Sequence, residues 1–279
     1  MPELPEVETI ARLLREQLVG QFMSYVEVRW PRCVACPSVA EFERELLGRE
    51  VQDVGRRGKF VILSLSGHKS LLVHLRMTGR LIVEDMGCSA AIGEAAPDSH
   101  THILFRFSSG KVLRFRDTRK FGRLHLVNEP AEIVGDLGPE PLSPGFTPQV
   151  LQDLLGSHRR RLKPFLVDQR VLAGLGNIYV DEALWEARIH PLRRAQTLSP
   201  EEVERLHIAI RSVLACAIGN QGTTLRDYRT PLDETGENQE ELAVYGRQGK
   251  PCLRCGELIL REVVGGRGTW YCPSCQRCD

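Results

Sequence analysis

The first 18 residues and the segments that follow them differ in the spacing of their apolar residues. In the first segment, apolar residues fall three or four positions apart, which predicts a helix over residues 3–18 with one buried face. Short apolar runs follow, separated by turn residues, and these runs predict strands. The predicted strands are 60–65, 70–75, 102–107, 111–115 and 124–127. Several strands at this close spacing indicate a β-sandwich or barrel in the N-terminal half.

The apolar spacing becomes helical again in the C-terminal half. The helices predicted there are 148–155, 164–169, 178–187 and 200–218. Ser199 precedes the last of them and is a residue type favoured at the start of a helix. Gly and Pro are dense between residues 135 and 148, which marks a domain boundary. Residues 86–99 are small, acidic and rich in Ala and Gly, and we expect a surface loop there.

Composition and charge narrow the class of protein. The chain has 279 residues, 42% of them hydrophobic and 26% charged, which is enough for about two globular domains. It contains no long apolar run and no apolar signal-peptide core, so we expect a cytoplasmic protein without a membrane partner. The net charge is only +1, but basic residues are concentrated at 56–59, 102–125 and 158–163. These clusters have the sign expected for binding phosphate, although solvated faces would explain each of them equally well.

The C-terminal cysteines have the spacing of a metal site. Two Cys-x2-Cys pairs separated by 16 residues are typical of a four-thiolate zinc site, and they comprise Cys252, Cys255, Cys272 and Cys275. Apolar runs on both sides of the glycines at 265–268 predict a β-hairpin finger between the pairs. Four thiolates leave no open position, so one structural Zn²⁺ is predicted. Cys278 offers a second possible pair with Cys275. The remaining cysteines are interpreted as packing or incidental residues: Cys33, Cys36, Cys88 and Cys216.

The second residue of the chain is a proline beside a carboxylate. Removal of Met1 would expose the secondary amine of Pro2, which can attack an electrophilic carbon and form an iminium. Terminal α-amino groups titrate near pH 8, about 2 units below lysine, so a useful fraction is unprotonated at neutral pH. Alternatively, Pro2 and Pro5 are helix-start prolines, and Glu3 and Glu6 complement the helix dipole. Taken alone, this short segment favours the helix-start interpretation, with the amine chemistry as the alternative.

Six motifs resemble those of bacterial formamidopyrimidine-DNA glycosylase, in the same order and over almost the whole chain. They are PELPEVET at 2–9, RRGK at 56–59, HLRMTG at 74–79, DTRKFG at 117–122, GLGNIY at 174–179 and the terminal finger. The resemblance implies an α+β fold, which agrees with the hydrophobic pattern. Its predicted parts are an N-terminal helix and catalytic β-sandwich domain at 1–135, a helix–two-turn–helix DNA-binding domain at 148–220, a lesion-recognition loop and connection at 221–244, and a zinc finger at 245–279.

The resemblance implies a bifunctional DNA glycosylase and AP lyase of base excision repair. Such an enzyme removes oxidised purines, 8-oxoguanine and formamidopyrimidines, from duplex DNA after flipping the damaged nucleotide out of the stack. Pro2 would attack the sugar C1′, and Glu3 would act as general acid at the sugar. The iminium would permit β- and δ-elimination of the two phosphates. Lys59 would assist base removal and β-elimination, and Arg267, at the tip of the finger hairpin, would assist δ-elimination.

Six further residues match DNA-contacting positions of the family: His100, Arg159, Asn177, Met77, Arg119 and Phe121. The last three would fill the void left by the flipped base, and Arg119 would hydrogen-bond the unpaired cytosine. The family usually has proline where this chain has Thr118, a difference that loosens the turn presenting Arg119. The loop at 221–228 would cover the flipped base.

Without the resemblance, structural interpretations would apply to several of these residues. Core packing would explain Met77 and Phe121, and a surface position would explain Lys59. A role as helix N-cap would explain Asn177, and the same residue could be both an N-cap and a phosphate contact.

Two other functions stay open at this stage. A relative of the endonuclease VIII type shares Pro2, Glu3, Lys59 and the finger but prefers oxidised pyrimidines. Residues 4–9, and Arg119 with Phe121, favour purines instead. A non-catalytic zinc protein could bind damaged DNA, although the full catalytic set argues against it. The expected partner is double-stranded DNA containing oxidised purines. A monomer in the bacterial cytoplasm, associated with the nucleoid through DNA, is expected.

Overall fold

Two compact units make up the structure. The computed structural model describes residues 1–85 and 98–278, so the loop predicted at 86–99 lies, up to position 97, outside the described residues. The first unit comprises Met1–Asp136 and Gln221–Glu237, and the second comprises Leu137–Asn220 and Asn238–Asp279. The segment at 221–237 therefore belongs to the same unit as the N-terminal residues, although it is far from them in the sequence.

Helix α1 (Leu4–Leu18) opens the first unit and confirms the predicted N-terminal helix. Pro5 lies in its first turn, and the Glu6 carboxylate accepts the backbone N–H of Glu3 at 2.8 Å in a capping box. The apolar stripe of the sequence is buried: Val7, Ile10, Leu14 and Leu18. Burial of such side chains contributes about 1.5–3 kcal/mol each, so packing holds α1 along its length and fixes the position of its N-terminus.

In the described residues of the first unit, nine strands follow α1. They are β1 (Met23–Val28), β2 (Val34–Cys36), β3 (Val51–Arg57), β4 (Phe60–Leu65), β5 (Lys69–His74), β6 (Gly79–Asp85), β7 (Thr101–Phe107), β8 (Lys111–Asp117) and β9 (Arg123–Val127). Helix α2 (Val39–Leu46) lies between β2 and β3, and α3 (Ala131–Val134) follows β9.

The strands form two sheets, which confirms the predicted sandwich. One sheet has the order β1-β7-β8-β6 and the other β2-β9-β5-β4-β3. Neighbouring strands are antiparallel, except that β2 and β9 run parallel. Side chains from both sheets and from α1 and α2 share one apolar core, in which Phe42 and Phe105 contact each other with ring centroids 6.5 Å apart.

The second unit is helical and ends in a hairpin. Its helices are α4 (Pro148–Gly156), α5 (Leu162–Leu166), α6 (Asn177–Glu186) and α7 (Pro200–Gly219). These confirm the four predicted helices, but α5 begins before residue 164 and ends before residue 169. The reason is that Pro164 is tolerated within the first turn of a helix, so the helix can begin at Leu162. Ser199 caps α7 as predicted, with its hydroxyl accepting the Glu202 N–H.

The finger hairpin consists of β10 (Leu260–Val264) and β11 (Arg267–Tyr271), paired antiparallel. Gly265 and Gly266 form its two-residue turn with φ of +58° and +75°, a backbone conformation that favours glycine. This confirms the predicted hairpin. None of the helices in the described part of the chain combines the length and apolarity needed to cross a bilayer.

Candidate active site and nucleic-acid interface

The N-terminal residues Pro2 and Glu3 are buried at the start of α1. Glu3 is only 3% exposed, and its backbone N–H is held by Glu6. The start of a helix carries partial positive charge, which disfavours a protonated amine nearby. An amine exposed at Pro2 would therefore stand in a defined position beside the Glu3 carboxyl group.

Lys59 lies in a two-residue turn between β3 and β4. Gly58, the first residue of the turn, has φ +55°, and Lys59 is 6% exposed. Arg56 joins this turn to α1, because its guanidinium contacts the Glu8 carboxylate at 3.0 Å and the Gly58 carbonyl at 3.0 Å. Arg56 thus links α1, which begins directly after Pro2 and Glu3, to the turn that contains Lys59.

A neutral histidine lies close to this turn. His74, at the end of β5, is opposite Phe60 in the sheet, and their rings meet edge to face at 4.7 Å. Burial, followed by the positive charges of Arg76 and Lys59, lowers the pKa of His74 to about 3. The imidazole therefore accepts the Arg76 backbone N–H at 3.0 Å and carries no charge at neutral pH.

The segment at 221–237 is anchored to α1 by the second oxygen of Glu6. Thr223 donates its backbone N–H to Glu6 Oε1 at 2.8 Å, while Oε2 accepts the N–H of Glu3. Gly222 has φ +83°, and a Cβ there would lie 3.0 Å from the Glu6 side chain. Burial, followed by the charge of Glu6, raises the pKa of Tyr228, so its phenol stays protonated and donates to the Gln221 carbonyl at 2.9 Å.

Met77, Arg119 and Phe121 are brought together on the surface of the first unit. Arg119 donates to the Met77 sulfur at 3.1 Å, and its guanidinium lies 4.8 Å from the centre of the Phe121 ring. Met77 and Phe121 are 43% and 47% exposed, so neither belongs to the core. We call these three residues the wedge cluster.

The other predicted DNA-contacting residues are distributed over both units. In the first unit, His100 is half-buried just before β7, and its N–H is held by Asp98 at 2.7 Å. In the second unit, Arg159 is exposed between α4 and α5.

Asn177 bonds to the finger hairpin at the residue that follows Arg267, within the second unit. Asn177 is the first residue of α6 and follows the N-cap Gly176; it is therefore not itself the cap. Its side-chain amide donates to the Gly268 carbonyl at 3.0 Å, next to the exposed Arg267. Arg267 is the first residue of β11, paired with Val264 directly beyond the turn.

Part of the basic charge in the sequence is neutralised internally. Four of the arginines in or near the basic clusters are ion-paired: Arg56 with Glu8, Arg114 with Glu84, Arg116 with Asp98 and Arg160 with Asp168. Burial alone would raise the pKa of Glu8, but hydrogen bonds and charge from Arg12 and Arg56 hold it below its usual range. Fewer of these arginines are therefore free of an acidic partner than the basic clusters in the sequence indicate.

The four finger cysteines converge as a metal site. The sulfurs of Cys252, Cys255, Cys272 and Cys275 all lie within 4.8 Å of one another. N–H groups point at these sulfurs, as thiolates require: Trp185 Nε1 and the Arg254 amide to Cys252, and the Cys275 amide to Cys272. Burial would raise the pKa of Cys252, but these donors lower it to about 6. The donor set fits one structural zinc.

The other cysteines lie apart from this group in the described residues. Cys278 is exposed, and so is Cys216. Cys33 is buried, with its thiol on the Trp30 carbonyl at 2.8 Å, and Cys36 lies 3.6 Å from His125 Nδ1. Cys88 is outside the described residues.

Comparison with known proteins covers almost the whole chain. Residues 1–124 match the formamidopyrimidine-DNA glycosylase N-terminal domain, 137–229 match its H2TH domain, and 249–277 match a zinc finger found in FPG and IleRS. The chain belongs to the formamidopyrimidine-DNA glycosylase family. The resemblance drawn from the six motifs is confirmed, and so are the predicted fold class and the structural zinc.

Named members of the formamidopyrimidine-DNA glycosylase family are similar over their full length. The formamidopyrimidine-DNA glycosylases of Roseiflexus sp. (strain RS-1) and Pelotomaculum thermopropionicum are 48% and 46% identical, over 99% of this chain and 100% and 99% of theirs. The Lactococcus lactis Fpg, solved with DNA containing an abasic site and with DNA containing FAPY-dG, is 36% identical in both cases. Its TM-scores are 0.90 and 0.89, with 99% of this chain and 100% of that chain covered.

Sequence reasoning assigned Glu6 only to the helix dipole and gave no role to Asp117. Glu6 joins the N-terminus to the segment at 221–237, and Asp117 is a fully buried carboxylate beneath the wedge cluster. The signal for Asp117 was its position as the lone acid among seven basic residues at 102–125. No comparable signal exists for Glu6, because its partner Thr223 is 217 residues away.

Proposed function

We propose that this protein is a bifunctional DNA glycosylase and AP lyase that excises oxidised purines from duplex DNA. The observation that carries the proposal is the buried Pro2–Glu3 pair at the start of α1, joined through Arg56 to the Lys59 turn and through Glu6 to the segment at 221–237. Full-length similarity to named formamidopyrimidine-DNA glycosylases supports the same reaction.

The chemistry begins with the amine of Pro2 after Met1 is removed. The nitrogen lone pair attacks C1′ of the flipped nucleotide, the bond from C1′ to the base breaks, and its electron pair leaves with the base, which takes up the proton that the amine loses. Glu3 donates a proton to the sugar ring oxygen as the ring opens, and an iminium forms between C1′ and the Pro2 nitrogen. A retained Met1 would convert this nitrogen to an amide and prevent the reaction.

The iminium then acts as an electron sink for two eliminations. Loss of a proton from C2′ expels the 3′ phosphate, and a second elimination expels the 5′ phosphate, which leaves a one-nucleotide gap with phosphates at both ends. Lys59 assists base removal and the first elimination. Its nearly complete burial within a fixed turn gives its ammonium group a defined position.

The second unit contributes phosphate contacts from Asn177 and Arg267. The start of α6 presents backbone N–H groups and partial positive charge, which suit a phosphate. Asn177 at this position also bonds to the Gly268 carbonyl, so the backbone next to the exposed Arg267 is held against the start of α6. Arg267 assists the second elimination by stabilising the departing phosphate.

The wedge cluster fills the space left by the flipped base. Met77 and Phe121 are exposed apolar side chains that would replace the stacking of the lost base, and Arg119 would donate to the unpaired cytosine. His100 and Arg159 would contact the DNA backbone or the opposite strand. Residues 221–228 would cover the flipped base.

The domain roles follow from these assignments. Residues 1–135 form the catalytic domain, 148–220 the DNA-binding domain, 221–244 the recognition loop and connection, and 245–279 the finger, whose zinc is structural. The protein works as a monomer on damaged duplex DNA in the bacterial cytoplasm, at the nucleoid. The Lactococcus lactis relative, solved with FAPY-dG DNA and with abasic-site DNA, supports this partner.

Product analysis tests the proposal against both alternatives. The Met-trimmed protein is incubated with duplexes carrying 8-oxoguanine or thymine glycol, and the released base and the strand ends are identified by mass spectrometry. We expect free 8-oxoguanine and phosphates at both ends of the gap. Release of thymine glycol alone would assign the endonuclease VIII type. Binding without any product would leave a damage-binding zinc protein.

A further inference from the structure

Asp117 is a fully buried carboxylate at the end of β8 whose donors are all neutral. Its Oδ1 accepts the Thr78 hydroxyl and the Arg119 N–H, the latter at 3.1 Å. Its Oδ2 accepts the Gly122 N–H at 2.7 Å. Its own carbonyl lies 2.7 Å from Nε2 of His102, a buried residue. A buried charge is tolerated here because each carboxylate oxygen is hydrogen-bonded.

These three donors belong to, or lie directly beside, the three members of the wedge cluster. Thr78 follows Met77, Arg119 donates its own backbone N–H, and Gly122 follows Phe121. One carboxylate therefore fixes the backbone on both sides of the cluster, in two segments about 40 residues apart in sequence. The exposed side chains meet above it, with Arg119 touching both Met77 and Phe121.

The turn at 117–122 depends on these bonds because its own residues do not stiffen it. Thr118 has a freely variable φ, unlike a proline. Lys120 has φ +60°, which is uncommon for a residue with a side chain. Gly122 cannot carry a side chain, since a Cβ would lie 2.5 Å from the Phe115 ring and 3.2 Å from Asp117 Oδ2. The carboxylate thus supplies the hydrogen bonds that fix a turn in which no proline restricts the backbone.

We infer that Asp117 is a positioning residue that assembles Met77, Arg119 and Phe121 into one preformed wedge before DNA binds. The inference rests on the proposed function, because it assigns the insertion step to this cluster. Asp117 itself does not touch DNA, since it is fully buried. If this inference is correct, disturbing the Asp117 carboxylate should impair insertion of the wedge cluster into a duplex, while the amine chemistry at Pro2 stays intact.

The test compares two substrates that differ in their need for a wedge. Excision of 8-oxoguanine opposite cytosine requires insertion into the duplex, whereas cleavage of an abasic site in single-stranded DNA has no void to fill. Asp117→Asn keeps the shape but places an N–H₂ against a backbone N–H in either orientation of the amide, that of Arg119 or that of Gly122. We expect duplex excision to fall about 10-fold to 100-fold, with cleavage of the single strand within about 2-fold of the parent protein. The fluorescence of 2-aminopurine beside the lesion should report less unstacking.

A second pair of variants separates positioning from folding. Thr78→Val removes one donor to Asp117, and Thr78→Ser restores it, so the serine variant should recover duplex excision. Asp53→Asn, the same change at an exposed carboxylate of β3, is the matched control and should leave both activities unchanged. Equal losses on both substrates, or no loss on the duplex, would overturn the inference. Failure of the parent protein to excise 8-oxoguanine would instead refute the proposed function.

Discussion

The ammonium of Lys163 lies 2.7 Å from the carboxylate of Asp181, and both side chains are completely buried. Lys163 also donates to the Gly268 carbonyl at 2.8 Å, and Asp181 accepts the Trp270 N–H at 3.0 Å. The pair thus joins α5 and α6 to β11 directly beside Arg267. Its function is to fix the finger hairpin on the helices, so that Arg267 and Asn177 keep a constant relation to each other.

Replacing Lys163 with Met should destabilise the protein strongly. The change leaves the Asp181 charge buried without its partner, which typically costs about 3–5 kcal/mol. Urea unfolding of the zinc-loaded protein measures the loss. The double variant Lys163→Met with Asp181→Leu should recover much of it, because no buried charge is left unpaired. A single variant as stable as the parent would contradict this account of the pair.

Zinc content should depend on the four converging cysteines alone. We expect one zinc per chain by elemental analysis, and almost none in Cys255→Ser, because a neutral hydroxyl replaces a thiolate ligand. Cys216→Ser is the matched control, since Cys216 is exposed and outside the group, and it should retain the metal. Loss of zinc from the control, or a full complement in Cys255→Ser, would disprove the assigned ligands.

Acid should destabilise the protein through His74. The folded state lowers the pKa of His74 to about 3, while the unfolded value is near 6.5, so the unfolded state binds more protons between these limits. Stability therefore falls as the pH drops below about 6.5, by up to about 1.4 kcal/mol per pH unit from this group. His74→Asn keeps an acceptor for the Arg76 N–H but does not titrate. Its unfolding free energy should fall less between pH 7 and pH 5; an unchanged pH slope would refute the assignment.

Gly236→Ala should disrupt the segment at 221–237. A Cβ at this position would lie 2.1 Å from the Gly222 carbonyl oxygen, so the backbone that packs beside Glu6 must shift. We expect base excision to slow more than cleavage of a preformed abasic site, because residues 221–228 of this segment are proposed to cover the flipped base. Gly219→Ala, where a Cβ meets no atom within 4 Å, is the control and should behave like the parent. Equal slowing of both reactions would argue against a base-reading role.

Local patterns predicted much of this fold, and long-range contacts account for most of what they missed. Helix α1 and the zinc cysteines follow from spacing alone, because periodic burial and metal ligation leave regular signatures. Strands β1, β2, β3 and β6 and helix α2 were not predicted. In β3 the exposed and buried residues do not alternate, and the strand is defined by its register with β4.

In the candidate site, too, local motifs predicted some residues, and long-range contacts account for those that were missed. The motifs drew attention to Pro2 and Lys59, but the bonds that hold the site together join distant residues. Glu6 accepts from Thr223, and Asp117 at the end of β8 accepts from Thr78, which directly precedes the neighbouring strand β6. Neither contact produces a regular pattern in the sequence. Residues 221–237 belong to the first unit through contacts of this kind.

The central claim is that the amine of Pro2 forms a covalent intermediate with damaged DNA, and borohydride trapping tests it most directly. Borohydride reduces an iminium to a stable amine, so the Met-trimmed protein should become cross-linked to a duplex holding 8-oxoguanine opposite cytosine. Pro2→Gly, with the same zinc content, should give little or no adduct. An equal adduct in that variant, or none with the parent protein despite confirmed removal of Met1, would contradict the mechanism.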